Sequence, residues 1–247
     1  MASSTRELIL RGALHCFSSL GYAGASMREI AEAAGVTQGL LHYHFKSKDG
    51  LYDAVFEYCS QKSVGHRGHL LDELLATNPV PSLEELLAVL FTPVEGGSKR
   101  DRAELTEYVQ MVAAVDVAND ERSRKVVARY FDPIGHRFVD EFRRAIPALD
   151  KGTAVWCYLF AIGARMQAQA LNGRAERMCQ DKKVAGAVDA NQLLIHFIAA
   201  GIRDAAARSQ AISARDARSR SSAVIASSAA ARKGKSAIER QRAPAML

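Results

Sequence analysis

The chain has 247 residues, of which 48% are hydrophobic, 24% charged and 7% aromatic. That composition belongs to a globular protein with a real core and excludes a disordered or collagen-like chain. The longest apolar run, residues 154–164, stops at Arg165 and falls short of the ~20 residues that span a bilayer. No basic-then-apolar leader precedes Arg6 and Glu7, so a cytoplasmic protein with no membrane partner is expected. The formal charge of +6 belongs to the end of the chain: eight basic residues follow residue 208, against Asp216 and Glu239. Residues 1–208 therefore balance, and the basic excess alone is weak ground for nucleic-acid binding. Four cysteines, Cys16, Cys59, Cys157 and Cys179, show no CxxC and no metal-ligand spacing, and read as buried free thiols.

Taken in chain order, almost every segment up to residue 208 repeats with helical period, and no run of alternating β-branched residues suggests a strand, so an all-α fold is predicted. Ile9, Ala13, Cys16, Phe17 and Leu20 share one face of a first helix that stops at Gly21. Ser26 caps a short second helix bearing Met27, Ile30, Ala31 and Ala34, which ends at Gly35. A third begins after Thr37, with Leu40, Leu41 and Phe45 available for packing, and a fourth follows Ser47 through Leu51, Ala54, Val55 and Tyr58.

Farther on, Ser82 caps a helix with Leu83, Leu86, Leu87 and Leu90 that ends near Thr92-Pro93. After a loop at 95–98, a helix is predicted over 100–115. The stripe Val127, Tyr130, Phe131, Ile134, Phe138 and Phe142 is interrupted by Asp132-Pro133, read as an N-cap and a first-turn proline between two abutting helices. Two apolar helices, 151–171 and 191–208, flank a polar stretch over 172–186. Beyond 208, Ala, Ser, Arg and Lys without aromatics predict a basic disordered tail over 209–247.

The segment richest in chemistry is 26–45. Two short amphipathic helices joined through a glycine at a helix C-terminus describe a helix-turn-helix, with Ile30, Ala34, Val36 and Leu41 as shared core and the first helix as its third side. Gly21-Tyr22, Ile30-Ala31, Ala34-Gly35-Val36, the run from Gly39 through Lys48 (GLLHYHFKSK) and Leu51 together resemble the tetracycline-repressor (TetR) family of transcriptional regulators. The likeness covers about a fifth of the chain, with two departures: His42 stands where tyrosine is common, and Gly50 where an acidic capping residue is common.

That resemblance implies a helix-turn-helix DNA-binding domain over 1–46 and a helical effector-binding and dimerisation domain over 47–208. In such a geometry the third helix enters the major groove with its N-terminal residues facing base edges. Gln38 is then the base reader, because its amide donates and accepts at once, as adenine requires, while Gly39 lets the backbone come close. Thr37, Ser26, His42, Tyr43 and His44 are expected at phosphate or sugar, and so is Lys48 at the start of the fourth helix. Thr37 and Ser26 serve as helix caps whatever else they do. Arg28 is a phosphate contact, a guanine reader or a solvated surface residue, and the sequence leaves the choice open.

The implied partners are double-stranded DNA with a palindromic operator, a second copy of the chain and a small, largely apolar effector. Phe91, Tyr108, Met111, Phe131, Trp156, Phe160 and Met166 are the candidate effector lining, although any one of them is equally an ordinary core residue. The last two helices, rich in small and apolar residues at 154–170 and 193–202, are the candidate dimer interface. Arg165, Arg102 and Arg129 are available to balance an acidic effector, or to sit on the surface. Repression relieved by ligand is the expected mode. His42 and His44 point apart and His66 and His69 lack a third ligand, so no metal and no cofactor is expected. No nucleophile motif, phosphate-binding glycine loop or carboxylate constellation argues for an enzyme. A helical adaptor with a merely structural helix-turn-helix is the other alternative, disfavoured by an exposed Gln38-Gly39-His42 face.

Overall fold

The computed structural model describes residues 4–93, 98–169, 173–181, 183 and 186–211, and the described residues hold helices and no strand. The helices are α1 (Thr5–Gly24), α2 (Met27–Ala34), α3 (Gln38–His44), α4 (Lys48–Thr77), α5 (Leu83–Phe91), α6 (Lys99–Val117), α7 (Glu121–Tyr130), α8 (Asp132–Ala145), α9 (Lys151–Gln169) and α10 (Arg174–Cys179). A last one, α11, runs over 190–211. The expected loop at 95–98 falls largely outside the described residues, as do the tail from 212 on and the side chain of Arg102. The polar stretch before α11 contains the short α10, and α11 continues three residues past 208.

Local chemistry sets the helix starts. The Ser26 hydroxyl accepts from the Glu29 backbone N–H at 3.2 Å while the Glu29 carboxylate accepts from the Ser26 N–H at 2.9 Å, a reciprocal cap. Ser82 and Glu85 repeat that arrangement on α5. Asp132 is the first residue of α8 and not its cap: Phe131 keeps a helical backbone (φ −115°, ψ −38°), so the chain bends between α7 and α8 without the extended residue a side-chain cap requires. Gly21, at φ 70° and ψ 171°, interrupts α1 as predicted, and Leu20 just before it is half exposed instead of buried.

Two apolar cores result. The first gathers Ile9, Leu10, Leu14 and Phe17 of α1, Ile30 and Ala31 of α2, Leu41 of α3, Leu51, Val55 and Phe56 of α4, and Tyr108, Met111 and Val126 of α6 and α7. Fully buried aliphatic and aromatic side chains of this kind contribute ~1.5–3 kcal/mol each. The second gathers Leu71 of α4, Leu86, Leu90 and Phe91 of α5, Phe138 and Phe142 of α8, Ala154 and Ala161 of α9, and Ile195, Ile198 and Ile202 of α11. Among the described residues, only α4 supplies deeply buried side chains to both. Cys16, Cys59 and Cys157 are buried, and burial pushes the Cys59 thiol up to about 12, whereas Cys179 on α10 is exposed, contrary to the reading of all four as buried.

The helix-turn-helix is also fastened to the later helices by polar links. The Arg122 guanidinium of α7 lies 3.5 Å from the centre of the Tyr22 ring and 3.0 Å from Asp49 Oδ1, and the Tyr22 hydroxyl donates to that same oxygen at 2.8 Å. Arg129 meets Asp53 at 2.8 Å, with the Tyr130 hydroxyl donating to the other carboxylate oxygen at 2.9 Å. Arg129 is thus engaged with α4.

Two outcomes follow. A Cβ on Gly12 would lie 2.8 Å from the Ala34 backbone nitrogen, so Gly12 is what lets α1 and α2 touch. Gly12→Val should lose ~1–3 kcal/mol by overpacking, read from urea denaturation. A double-mutant cycle between Arg122→Ala and Tyr22→Leu should return a favourable coupling of ~0.5–1 kcal/mol; additive losses would show that the ring and the cation do not interact in solution.

Candidate nucleic-acid interface

The turn between α2 and α3 rests on Gly35, whose backbone is left-handed at φ 67° and ψ 32°. Its N–H reaches back to the Ala31 and Glu32 carbonyls, closing α2 while redirecting the chain. Two residues later the Thr37 hydroxyl accepts from the Leu40 N–H at 3.2 Å, and α3 begins. Leu41 and Phe45, four residues apart, are buried in the first core, which fixes the opposite side of α3 toward solvent.

On that solvent side stand Gln38, Gly39, His42, Tyr43 and His44, all exposed, with Tyr43 at 81%. The Tyr43 and His44 rings meet edge to face at 5.4 Å. Among the described residues, nothing outside its own helix backbone and its chain neighbours lies within 4 Å of a Cβ built on Gly39, so the space there is open. Ser26 and Thr37 hold their caps, and Ser26 also donates its hydroxyl to Glu29 at 2.7 Å. The Glu29 carboxyl is held below the usual range chiefly by those Ser26 hydrogen bonds. Arg28 Nε donates to Glu32 at 3.1 Å, an exposed i,i+4 pair worth ~0.2–0.5 kcal/mol, which a phosphate or a guanine edge readily displaces. Lys48 is half-buried, with its ammonium 4.5 Å from the centre of the Tyr22 ring and 3.5 Å from the Ala23 carbonyl oxygen.

Two further residues share the region. Leu40, expected in the core, is 38% exposed, because two helical turns bury a single face and Leu41 and Phe45 occupy it. Lys46 is exposed just after α3. The spacing of 40 against 41 and 45 carried the signal for Leu40.

The seven candidate effector residues do not come together. Phe91 is buried in the second core; Tyr108 and Met111 are buried in the first, with Phe131 packed against it. Met166 is half-buried. Trp156 and Phe160 are 60% and 65% exposed, paired with each other at 5.7 Å on the outside of α9. Single-helix periodicity could not separate them, because α9 is apolar around most of its circumference.

Residues 9–55 match the family model for bacterial regulatory proteins of the tetR family, and residues 88–201 match the tetracyclin repressor-like C-terminal domain. Among curated relatives, the HTH-type transcriptional regulator AcrR of Shigella flexneri is 37% identical over 86 residues, which is 35% of this chain and 40% of that protein. The HTH-type transcriptional repressor KstR2 of Mycolicibacterium smegmatis is 26% identical over 152 residues, 62% of this chain and 66% of that one. The matches thus span between two fifths and two thirds of these relatives' lengths. Salmonella enterica GusR shares the fold at a TM-score of 0.54 and 19% identity, over 81% of this chain and 95% of its own. The hemolysin II transcriptional regulator HlyIIR does so at 0.51 and 19%, over 74% and 96%. With both its amino-terminal and its carboxy-terminal models matched around a helix-turn-helix of this geometry, the chain belongs to the tetR family of bacterial regulatory proteins.

Proposed function

We propose that this chain is a DNA-binding transcriptional regulator, a repressor that binds a palindromic operator as a homodimer and is released by a small effector. The observation that carries the reading is the α3 face: Gln38, Gly39, His42 and Tyr43 stand bare on a helix whose other side is locked into a core by Leu41 and Phe45. A merely structural helix-turn-helix has no reason to leave a tyrosine this exposed. The names of AcrR and KstR2, a transcriptional regulator and a transcriptional repressor, agree with it.

In this reading α3 lies in the major groove. Gln38 reads a base edge, Gly39 allows close approach, and Leu40 is placed to touch a thymine methyl. Arg28, His42, Tyr43, His44 and Lys48 hold the phosphates, and the capping residues Ser26 and Thr37 present helix N-termini to the backbone.

A dimer interface is supported by the outer faces of α9 and α11. Trp156, Leu159, Phe160 and Gly163 recur at helical spacing on one exposed side of α9, and Leu193 and Phe197 do so on α11. The inner faces of both helices share the second core. Large bare apolar side chains on neighbouring helices mark an association surface, and two copies packed there form a four-helix bundle. The dimer then presents its two α3 helices to successive half-sites about 34–36 Å apart. An effector that favours a different spacing weakens DNA binding by its differential affinity, ~1–3 kcal/mol in typical cases.

Gln38→Ala should relax operator preference at one base pair by ~1–3 kcal/mol, while Lys48→Ala should weaken all duplexes alike and lower the salt slope by about one. Footprinting both variants across a salt series distinguishes the roles, and identical behaviour would refute them. Phe160→Arg should convert the dimer to monomer in light scattering and abolish high-affinity operator binding; a dimer that persists would move the interface elsewhere.

A further inference from the structure

The inward stripe of α4 runs Tyr52, Phe56, Cys59, Ser63, Arg67 and Leu71. It is apolar at both ends, where it enters the two cores, and polar in the middle. Arg67 is only 8% exposed. One of its terminal nitrogens donates to the Ser63 carbonyl at 3.3 Å, while Nε is buried with no partner. Across from it, Ser63 Oγ donates to the Tyr108 hydroxyl of α6 at 3.3 Å. Arg165 of α9 donates to the Leu90 carbonyl at 3.2 Å, and its charge bears on Arg67. Among the described residues no carboxylate lies within 4.0 Å of either guanidinium.

Two cations brought together inside a fold without an anion are a liability, since buried charge is tolerated only when paired and hydrogen-bonded. Burial, and then Arg165, bring the Arg67 guanidinium down to about 9. The nearby phenols do not supply the missing charge: burial pushes Tyr158 up to about 12 and Tyr108 higher still. Asp116 of α6, exposed on that helix, is the acid whose charge bears on Arg165, but it lies beyond ion-pairing distance and is not among the charges that bear on Arg67. The sequence reading of an apolar lining did not include Arg67.

We infer that the effector is an organic acid whose carboxylate is received between Arg67 and Arg165, beside the hydroxyls of Ser63 and Tyr108, at the polar seam between the two apolar cores. The role as effector rests on the regulator reading; binding of the anion does not. The seam lies on the same helix as Lys48, 19 residues away, about 28 Å along a rigid α-helix, so occupancy bears directly on the helix that supports the DNA-facing unit.

The test uses the full chain with octanoate and benzoate, against octanol and benzyl alcohol at fixed ionic strength, by calorimetry and thermal unfolding without DNA. The carboxylates should bind and raise Tm, and the alcohols should not. Arg67→Met should weaken carboxylate binding about thirtyfold or more, yet unfold at a higher temperature than the parent without ligand, because an unpaired charge has been removed. A structural brace predicts the reverse, a less stable variant. Should Arg67→Met not fold, that too counts for the brace and overturns the inference. Equal shifts by acids and alcohols, no shift by either, or full binding to Arg67→Met would also overturn it. Operator binding measured in parallel keeps the two readings apart: retained DNA binding with no carboxylate response defeats this inference alone, and the converse defeats the regulator reading alone.

Discussion

Helix α4 is the constraint on which the rest depends. Its 30 residues extend about 45 Å, with the amino-terminal turns packed beneath the helix-turn-helix and Leu71 in the second core. A helix held at both ends by close-packed side chains moves as a rod. Any change in how its carboxy-terminal half sits against α5, α6 and α8 must therefore reappear at Ser47 and Lys48, or be absorbed where the rod is least well packed. That place is the stretch of Ser60, Ser63 and Arg67, where close apolar packing gives way to a few polar contacts.

The amino-terminal third was legible in the sequence because its signals are local. Caps at Ser26, Thr37 and Ser47, the left-handed Gly35 and the burial of Ile30 and Leu41 each depend on neighbours within a few residues. The carboxy-terminal half was legible as helices but not as a packing arrangement. Nothing within α9 distinguishes Trp156, which faces out, from Ala154 and Ala161, which face in, because which side is inside is decided by α8 and α11. Arginines were equally opaque. Arg129 and Arg165 read alike in sequence, yet one meets Asp53 on α4 and the other lies in the seam without a carboxylate.

The capping geometry also sorts the candidate DNA contacts. Ser26 and Thr37 spend their hydroxyl lone pairs on backbone N–H groups, so what they offer a phosphate is mainly the ordered helix N-terminus behind them. Gln38, His42 and Tyr43 have no such obligation and are free to adapt. On the proposed reading, sequence discrimination is concentrated in a few side chains on one turn, while orientation is spread over groups already fixed by the fold.

The links between the two halves differ in kind from the cores they join. Arg122 against Tyr22 and Arg129 against Asp53 are exposed contacts, and pairs of that sort contribute at most ~1 kcal/mol each. Core burial around Phe56 and Tyr108 is far stronger but non-directional. A joint built this way resists separation yet tolerates small rotation, since sliding apolar surfaces costs little until packing is lost. The coupling expected of an effector, ~1–3 kcal/mol, is comparable to the polar links and far below the cost of opening the core. Ligand binding at the seam would accordingly re-aim the DNA-facing unit as a body, without unfolding any part of it.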